Sequence, residues 1–407
     1  MKKLTLFCSL LLLLALLVSP AAALESGYEI DYSDSVDWNR FRGQNVTLNV
    51  YNWGEYISVD DGTEDAYDVN AEFERITGIQ VVYSNFATNE ELYAKLKMGG
   101  SQYDVVIPSD YMVSRMISEG MLRPLNFDNI PNFARIDEQF RTSEYDPTGA
   151  YSVPYFWGLV GIIYNTTLVD EDDDVFTWDI LWNEKYANNI LMFSNSRDTI
   201  GIALKRLGYS YNTTDEREIR EAASSLIEQK PIVQAYVMDE IFDKMIGGEA
   251  ALAPYYAGDA IVMMNDNPDL GFAVPREGTN IFVDAACIPA DAKNPEAAEL
   301  YINFLCETLV AKRNAEYVGY ATPQAEAFTY LDEETQNSVT YPDADVIAAG
   351  EAYIALPQAT TTLLDSLWTE ILSTGEASPW ITPIFMGGCI TASVGINVYK
   401  YKKKMRG

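Results

Sequence analysis

The sequence lacks histidine altogether, and it contains only four cysteines in 407 residues. Without imidazole, the chain cannot build a Ser-His or Cys-His catalytic pair or a histidine-based zinc site. The motifs CxxC, GxxxxGKS/T, GxSxG and GxGxxG are also absent. These absences predict a protein with no catalytic residues, no bound metal and no cofactor, although catalysis by carboxylates alone stays formally open.

The few cysteines do not form a disulfide framework. Cys8 and Cys389 lie in the apolar segments near the two ends, so only Cys287 and Cys306 remain for the folded body. One disulfide between them is possible, but their strand-like and helix-like surroundings favour two buried free thiols.

Basic residues are scarce as well. The chain has 28 lysines and arginines against 60 aspartates and glutamates, which gives a formal net charge of −32. Such a field repels nucleic acid and attracts cations, so we expect no nucleic-acid partner. Most of these acids belong on a solvated surface, and the charge by itself identifies no ligand.

The amino-terminal segment reads as a secretory signal over residues 1–23. Lys2 and Lys3 precede an apolar run over 4–18, and the small residues Ala21 and Ala23 stand at the −3 and −1 positions of a cleavage site. No cysteine follows this site, so the pattern is not that of a lipoprotein.

The carboxyl-terminal segment reads as a membrane helix over residues 379–399, which contain no charged side chain. At ~1.5 Å per residue this stretch can cross a hydrocarbon core of ~30 Å. The basic tail at 400–407 would stay cytoplasmic. We therefore predict a protein that is secreted across the cytoplasmic membrane and anchored to it, with its body outside; the alternative is a buried carboxyl-terminal helix.

Between these ends, strand-like and helix-like segments alternate, which indicates the α/β class. Strand-like runs at 46–51, 79–86 and 103–110 are separated by helical runs at 69–78 and 89–100, the latter with Asn89 as its expected N-cap. The order predicts a parallel or mostly parallel sheet with helices on both faces. Ligands bind at the carboxyl ends of strands in such sheets, where YNWGEY (51–56) and PSDY (108–111) stand. The run 151–165 has no helical period and is expected to pass, extended, between two domains.

Several blocks resemble one known family. YNWGEY, YDVVIPSDYMV, KRLGYSYNTTD, NIFVDAACIPADAKN, VGYATP and YPDAD occur in this order between about residues 48 and 372, as in the spermidine/putrescine-binding proteins of bacterial ABC transporters. The resemblance implies a two-lobed periplasmic-binding-protein-like fold of type II. Lobe 1 would comprise 46–157 plus 283–328, and lobe 2 would comprise 158–282 plus 329–376. It also implies a monomer that holds putrescine or spermidine between the lobes and delivers it to the permease subunits of an importer.

The same resemblance implies a site of acids for the ammonium groups, rings for the methylene chain, and two further polar contacts. These residues are Glu55, Asp198, Asp259 and Asp284; Trp53, Tyr56, Tyr111, Tyr256, Phe282, Tyr320 and Tyr353; and Ser109 and Asn195. Asn195 replaces an aspartate of spermidine binders, whereas Asp259 matches an acid of putrescine-preferring relatives. Phe282 and Tyr256 replace tryptophans, and Tyr353 stands where some spermidine binders have glutamine. These departures blur the selectivity for ligand length, and the lost acid at Asn195 together with the acid at Asp259 favours putrescine modestly.

Each assignment has a structural alternative. The rings of Trp53, Tyr56, Tyr256 and Phe282 could be ordinary core residues. Asp198 could serve only the helix dipole, and Ser109 could merely cap a helix. Asp284 lies in an otherwise apolar strand, where an unpaired carboxylate is costly, so it requires a cation or an internal arginine.

The sequence leaves three other functions as alternatives. A sensor ectodomain would need a partner for its output. A binding protein for another small organic cation, or for an amino acid, keeps the fold and changes the ligand, although the acids at 198, 259 and 284 favour a cation. An enzyme acting on amines is the third alternative, and it is disfavoured because the sequence has no histidine, no cofactor motif and no cluster of metal ligands.

Overall fold

The computed structural model describes residues 32–60, 62–63, 66–99 and 102–374 and has a mixed α/β architecture. No helix within these ranges is long and apolar enough to cross a membrane. The predicted signal at 1–23, membrane helix at 379–399 and basic tail at 400–407 lie outside the described residues.

The strands of the described chain form one mixed sheet. They are β1 (Thr47–Trp53), β2 (Gln80–Phe86), β3 (Val105–Val106), β4 (Ser152–Asn165), β5 (Ile190–Phe193), β6 (Val233–Val237), β7 (Leu252–Tyr256), β8 (Leu270–Ala273) and β9 (Ile281–Cys287). Their order is β2-β1-β3-β9-β4-β7-β5-β6, with β8 also paired to β4. The predicted β-α-β-α-β unit is confirmed, because β2, β1 and β3 are parallel neighbours. Strand β9 pairs antiparallel with both β3 and β4.

The helices lie between and after these strands. They are α1 (Val69–Thr77), α2 (Asn89–Lys97), α3 (Asp110–Ser118), α4 (Glu138–Arg141), α5 (Ser196–Arg206), α6 (Glu216–Gln229), α7 (Glu240–Ile246), α8 (Ala257–Asp266), α9 (Pro295–Leu305), α10 (Thr308–Val318), α11 (Ala325–Thr329), α12 (Glu333–Gln336), α13 (Ala344–Ala349) and α14 (Gln358–Ser373). The predicted N-cap of α2 is wrong by one residue: the Thr88 hydroxyl accepts the capping bond, which leaves the Asn89 side chain free for another contact.

Two separate hydrophobic cores occupy the two halves of the sheet. The first core contains Val50, Phe156 and Phe304, and the second contains Ile163, Phe193 and Leu252. Strand β4 passes from one core to the other: it pairs with β9 over its first half and with β7 and β8 over its second. The extended crossing segment predicted at 151–165 is therefore confirmed.

The alternation of side chains along β9 separates its two faces. Phe282 and Ala286 pack into the first core, whereas Val283, Ala285 and Cys287 pack into a smaller cluster on the opposite face. Cys287 and Cys306 are both buried and unpaired, as the sequence favoured.

Candidate functional site

Asp284 is a buried carboxylate on β9 with one oxygen satisfied and one free. Its side chain is 4% exposed. The Tyr56 hydroxyl donates a hydrogen bond of 2.6 Å to Oδ2. Oδ1 is buried and has no hydrogen-bond partner among the described residues. An unpaired carboxylate oxygen in such a place is costly, so its position favours a cationic group from outside the chain.

The environment of Asp284 makes its carboxylate easier to protonate than an exposed aspartate. Burial raises its pKa to about 6, although the nearby Ser109 hydroxyl and the hydrogen bond from Tyr56 oppose this shift. The alternative in which an internal arginine neutralises Asp284 is not realised, because no ion pair joins it to a basic side chain in the described chain. A bound ammonium would supply the missing charge and lower the pKa.

Asp198 is the second buried acid, and three side chains hold it. Helix α5 begins after Asn195, whose side-chain oxygen caps the Asp198 amide at 2.8 Å. The amide nitrogen of Asn195 donates to Asp198 Oδ2 at 2.9 Å. The hydroxyls of Tyr256 and Tyr353 donate to Oδ2 at 2.8 Å and to Oδ1 at 3.0 Å. Asp198 is therefore a positioned side chain with its own hydrogen-bond network, beyond any role in the helix dipole.

A chain of aromatic rings joins the two acids. Tyr56 meets Tyr320 edge to face with ring centroids 5.0 Å apart. The ring centroids of Tyr320 and Phe282 are 6.1 Å apart, and those of Phe282 and Tyr256 are 5.5 Å apart. Tyr256 packs against both hydrophobic cores and bonds to Asp198. These rings form a continuous apolar path between Asp284 and Asp198, and such faces attract cations and methylene groups alike.

Asp259 joins the network from helix α8 and links the two cores. The Tyr320 hydroxyl donates to Asp259 Oδ2 at 3.0 Å. Tyr320 belongs to the first core, whereas α8 packs its Ala260 and Met263 into the second. Burial raises the pKa of Asp259 to about 7, with a smaller contribution from the charge of Asp239.

Ser109 and Tyr111 follow β3, at the start of α3. Ser109 forms an isolated antiparallel bridge with Asp284. It occupies the N-cap position of α3, but its side chain makes no capping hydrogen bond; its hydroxyl instead accepts from the Asn89 side chain at 3.1 Å. The Tyr111 ring meets Tyr353 edge to face at 6.2 Å. Its hydroxyl donates to Glu90 at 3.0 Å.

Two of the predicted residues stand apart from this network. Trp53 is partly buried and packs against Phe86, with ring centroids 4.5 Å apart. Its indole nitrogen is buried and has no hydrogen-bond partner among the described residues. Glu55 is exposed and has a left-handed backbone with φ of 50°. No hydrogen bond joins either side chain to the network in the described chain, so their roles stay predictions.

Sequence reasoning missed Arg197 and Asp110. The Arg197 guanidinium lies 4.5 Å from the centre of the Tyr353 ring and donates to the Asn212 side chain at 2.8 Å. Burial lowers the pKa of Arg197, while the charges of Asp198 and Asp110 oppose that shift. The run SNSRD carried the only signal, a basic residue directly before the predicted acid.

Asp110 is fully buried and accepts the backbone N–H of Tyr111 at 2.6 Å and that of Val283 at 3.3 Å. Burial raises its pKa to about 8, and the nearby charge of Asp284 acts in the same direction. The site therefore gathers more acidic than basic side chains around one aromatic path.

Comparison with known proteins identifies the family of this fold and site. A model of the bacterial extracellular solute-binding proteins matches residues 101–349. The chain belongs to this family. The spermidine/putrescine-binding periplasmic protein of Salmonella typhimurium is 38% identical over 309 residues, which cover 75% of this chain and 86% of that protein. The putrescine-binding periplasmic protein PotF of Escherichia coli is 29% identical over 321 residues, which cover 74% and 85%.

A solved structure extends this relationship to the fold of this solute-binding protein. The spermidine/putrescine ABC transporter substrate-binding protein PotD from Streptococcus pneumoniae has a TM-score of 0.70 at 36% identity, over 81% of this chain and 99% of that one. The predicted resemblance to spermidine/putrescine-binding proteins and the periplasmic-binding-protein-like α/β fold are thus confirmed. The members of this family are solute-binding components of transport systems.

Proposed function

We propose that this solute-binding protein holds a polyamine, putrescine or spermidine, between two lobes and delivers it to the permease of an ABC importer. Oδ1 of Asp284, which is buried and has no hydrogen-bond partner among the described residues, carries the proposal, because such an oxygen can receive one terminal ammonium. Asp198, at the far end of the aromatic path, would receive the other. The names of the Salmonella and Escherichia relatives support this choice of ligand.

The chemistry of a polyamine requires acids for its ammonium groups and apolar walls for its methylene chain. One ion pair at 4 Å contributes ~1 kcal/mol in water and ~4 kcal/mol at an effective dielectric constant near 20. Micromolar affinity requires ~8 kcal/mol, so two or three enclosed pairs and apolar walls are needed after desolvation. Asp284, Asp198 and Asp259 would supply the pairs. The rings of Tyr56, Phe282 and the other tyrosines would enclose the methylene chain.

Putrescine is the favoured ligand under this proposal. Asn195 donates to Asp198, so this end of the site carries one carboxylate where spermidine binders carry two. Asp259 adds an acid near the middle of the path. A short diamine matches that distribution of charge better than a triamine does.

Binding is coupled to lobe closure in this proposal, with the predicted lobes of type II at 46–157 plus 283–328 and at 158–282 plus 329–376. The bond from Tyr320 to Asp259 already bridges the two cores, so a ligand enters only after the lobes separate. Closure then creates the surface that the permease recognises. Small-angle scattering tests this step: the radius of gyration should fall when putrescine saturates the protein, and an unchanged radius would contradict closure.

We further propose that a single copy acts from the outer face of the cytoplasmic membrane, held there by residues 379–399 with 400–407 inside. The charge step in the sequence supports this anchor. Fractionation of cells that express the full chain tests it: the protein should stay with the membranes after a high-salt wash, and release by that wash would contradict an integral anchor.

Calorimetry tests the ligand assignment. Putrescine and spermidine should bind with micromolar or tighter affinity, whereas 1,4-butanediol, which replaces both ammonium groups with hydroxyls, should give no measurable heat. Equal affinity for the diamine and the diol would contradict a site built on charge. Recovery of unchanged putrescine by mass spectrometry after long incubation is expected of a binding protein, and any product would show an enzyme.

A further inference from the structure

A cavity of about 460 Å³ lies on the face of β9 opposite the candidate site. Ile281 and Val283 line the cavity. Phe282 and Asp284 alternate with them along the strand and belong to the candidate site, where they contact Tyr256 and Tyr56. Since neighbouring side chains of a strand point to opposite faces, β9 lies between the two spaces, and Tyr353 borders both of them. We call this space the hinge cavity.

The walls of the hinge cavity come from both halves of the molecule. Phe140, one of its lining residues, packs against the first core. Tyr353, another, bonds through its hydroxyl to Asp198 on α5, a helix of the second core. A rotation of the two cores about the crossing strands therefore changes the volume of the cavity. The cavity and the polyamine site lie on opposite sides of these strands. A rotation that widens the site therefore narrows the cavity.

The structure has the two halves in contact at the candidate site and apart at the hinge cavity. Tyr320 bonds to Asp259 across the site, and Tyr111 meets Tyr353 there. The cavity behind β9 is at the same time large enough for a small organic molecule. Opening of the site would have to compress this cavity, so an occupant of the cavity opposes opening.

The lining of the cavity selects the kind of occupant. Asp110, Glu144 and Glu351 contribute carboxylates, and the described lining contains no lysine or arginine. Glu351 is already paired with Lys205, and both oxygens of the fully buried Asp110 accept backbone N–H groups. Glu144, which is exposed, is therefore the carboxylate that faces a cation. Phe140 and Tyr145 add aromatic surface. A compact amine with an apolar body matches these walls, since ammonium groups pair with carboxylates and also lie favourably against rings.

We propose that the hinge cavity is an effector site: a small organic amine that fills it holds the lobes closed and so raises the affinity of the polyamine site. This inference rests on the proposed function, because its readout is polyamine affinity. It requires no new contact between the effector and the polyamine. The coupling is a difference in cavity volume between the open and closed arrangements.

Two filling substitutions on opposite walls test the coupling without replacing a residue of the polyamine site. Ala352→Phe and Gln139→Trp place rings in the cavity from residues that are exposed and whose side chains make no hydrogen bond in the described chain. Ala325→Phe, at the exposed start of α11, is the matched control. Each filling variant should bind putrescine about fivefold more tightly, through slower dissociation, and the control should bind as the wild type does. Unchanged or weaker binding in both correctly folded filling variants would overturn the coupling.

Benzylamine tests the site in the unmodified protein, so the result does not depend on whether a variant folds. At saturation it should raise the putrescine affinity of the wild type about fivefold and leave that of Ala352→Phe unchanged. Competition with putrescine, or no effect on it, would overturn the effector site. A wild-type protein that bound no polyamine at all would instead contradict the proposed function, so the two failures are distinguishable.

Discussion

The hydroxyl of Tyr56 donates a hydrogen bond of 2.6 Å to Oδ2 of Asp284, and the other oxygen of this buried carboxylate has no partner among the described residues. The arrangement keeps the carboxylate oriented but incompletely satisfied. A fully bonded acid would stabilise the ligand-free protein more. The unpaired oxygen can instead gain a hydrogen bond from a cationic ligand, which adds to the free energy of binding.

Replacing Asp284 with asparagine should weaken putrescine binding at least tenfold, which corresponds to ~1.4 kcal/mol. Asparagine keeps an acceptor for Tyr56 but loses the charge. Calorimetry measures the change, and a loss of less than tenfold would remove Asp284 from direct contact with the ligand.

Asp104→Asn is the matched control for this substitution. Asp104 is another fully buried aspartate, but its oxygens accept the backbone N–H groups of Asn49, Lys293 and Asn294. Its replacement should lower the free energy of unfolding by about 1–3 kcal/mol and leave putrescine affinity unchanged.

Replacing Tyr56 with phenylalanine should move the pH dependence of binding. The hydroxyl favours the charged form of Asp284, so its loss should raise the pKa of this acid further above about 6. Putrescine affinity, measured over a pH series, should then begin to fall at a higher pH than in the wild type. Tyr155→Phe is the control, because the Tyr155 hydroxyl donates to the backbone of Tyr56 and not to Asp284. A midpoint that shifts equally in both variants would contradict the assignment.

The stability of the ligand-free protein should fall as the pH rises through the pKa of Asp284. An unfolded aspartate titrates near pH ~3.9, whereas burial raises the pKa of Asp284 to about 6. Between these values the folded protein binds more protons than the unfolded chain, so the free energy of unfolding decreases with pH.

Thermal unfolding of the wild type and of Asp284→Asn, compared across that interval, isolates this contribution. The variant should gain stability relative to the wild type as the pH rises. A constant difference between the two proteins would contradict the raised pKa. Putrescine should restore the stability of the wild type at the upper end of the interval, because its charge replaces the lost proton.

Replacing Asn195 with aspartate should shift selectivity toward spermidine by about tenfold relative to putrescine. The side chain of Asn195 donates to Asp198, and an aspartate would exchange that donor for a second negative charge. Asn195→Ser retains a capping side chain without charge and serves as the control. Competition calorimetry with the two amines measures the ratio, and an unchanged ratio in the aspartate variant would show that this end of the site does not set ligand length.

The sequence predicted the elements and acids of the site better than their connections. Asp284 could be identified because a carboxylate in an apolar strand is costly without a partner. The extended run that became β4 could be identified because it lacks a helical period. The bonds of Asp198 to Tyr256 and Tyr353 join residues far apart in the chain, and no local pattern specifies them.

The same limit explains the residues that were missed or misplaced. The Arg197 guanidinium lies over the ring of Tyr353. The two residues are far apart in the chain and come together only in the folded protein, so no local pattern predicts this contact. Asparagine is common at N-caps, so the sequence predicts Asn89 there, but the Thr88 side chain caps the helix and Asn89 bonds to Ser109 instead. Either residue was an acceptable cap by local preference, so tertiary contact decided between them.

A crystal structure of the putrescine complex tests the central claim most directly. We predict that one ammonium nitrogen lies ~2.7–3.2 Å from Oδ1 of Asp284, with the chain of the ligand against Tyr320 and Phe282. Putrescine bound elsewhere, with Asp284 Oδ1 still unpaired or covered by a side chain of the protein, would contradict the account.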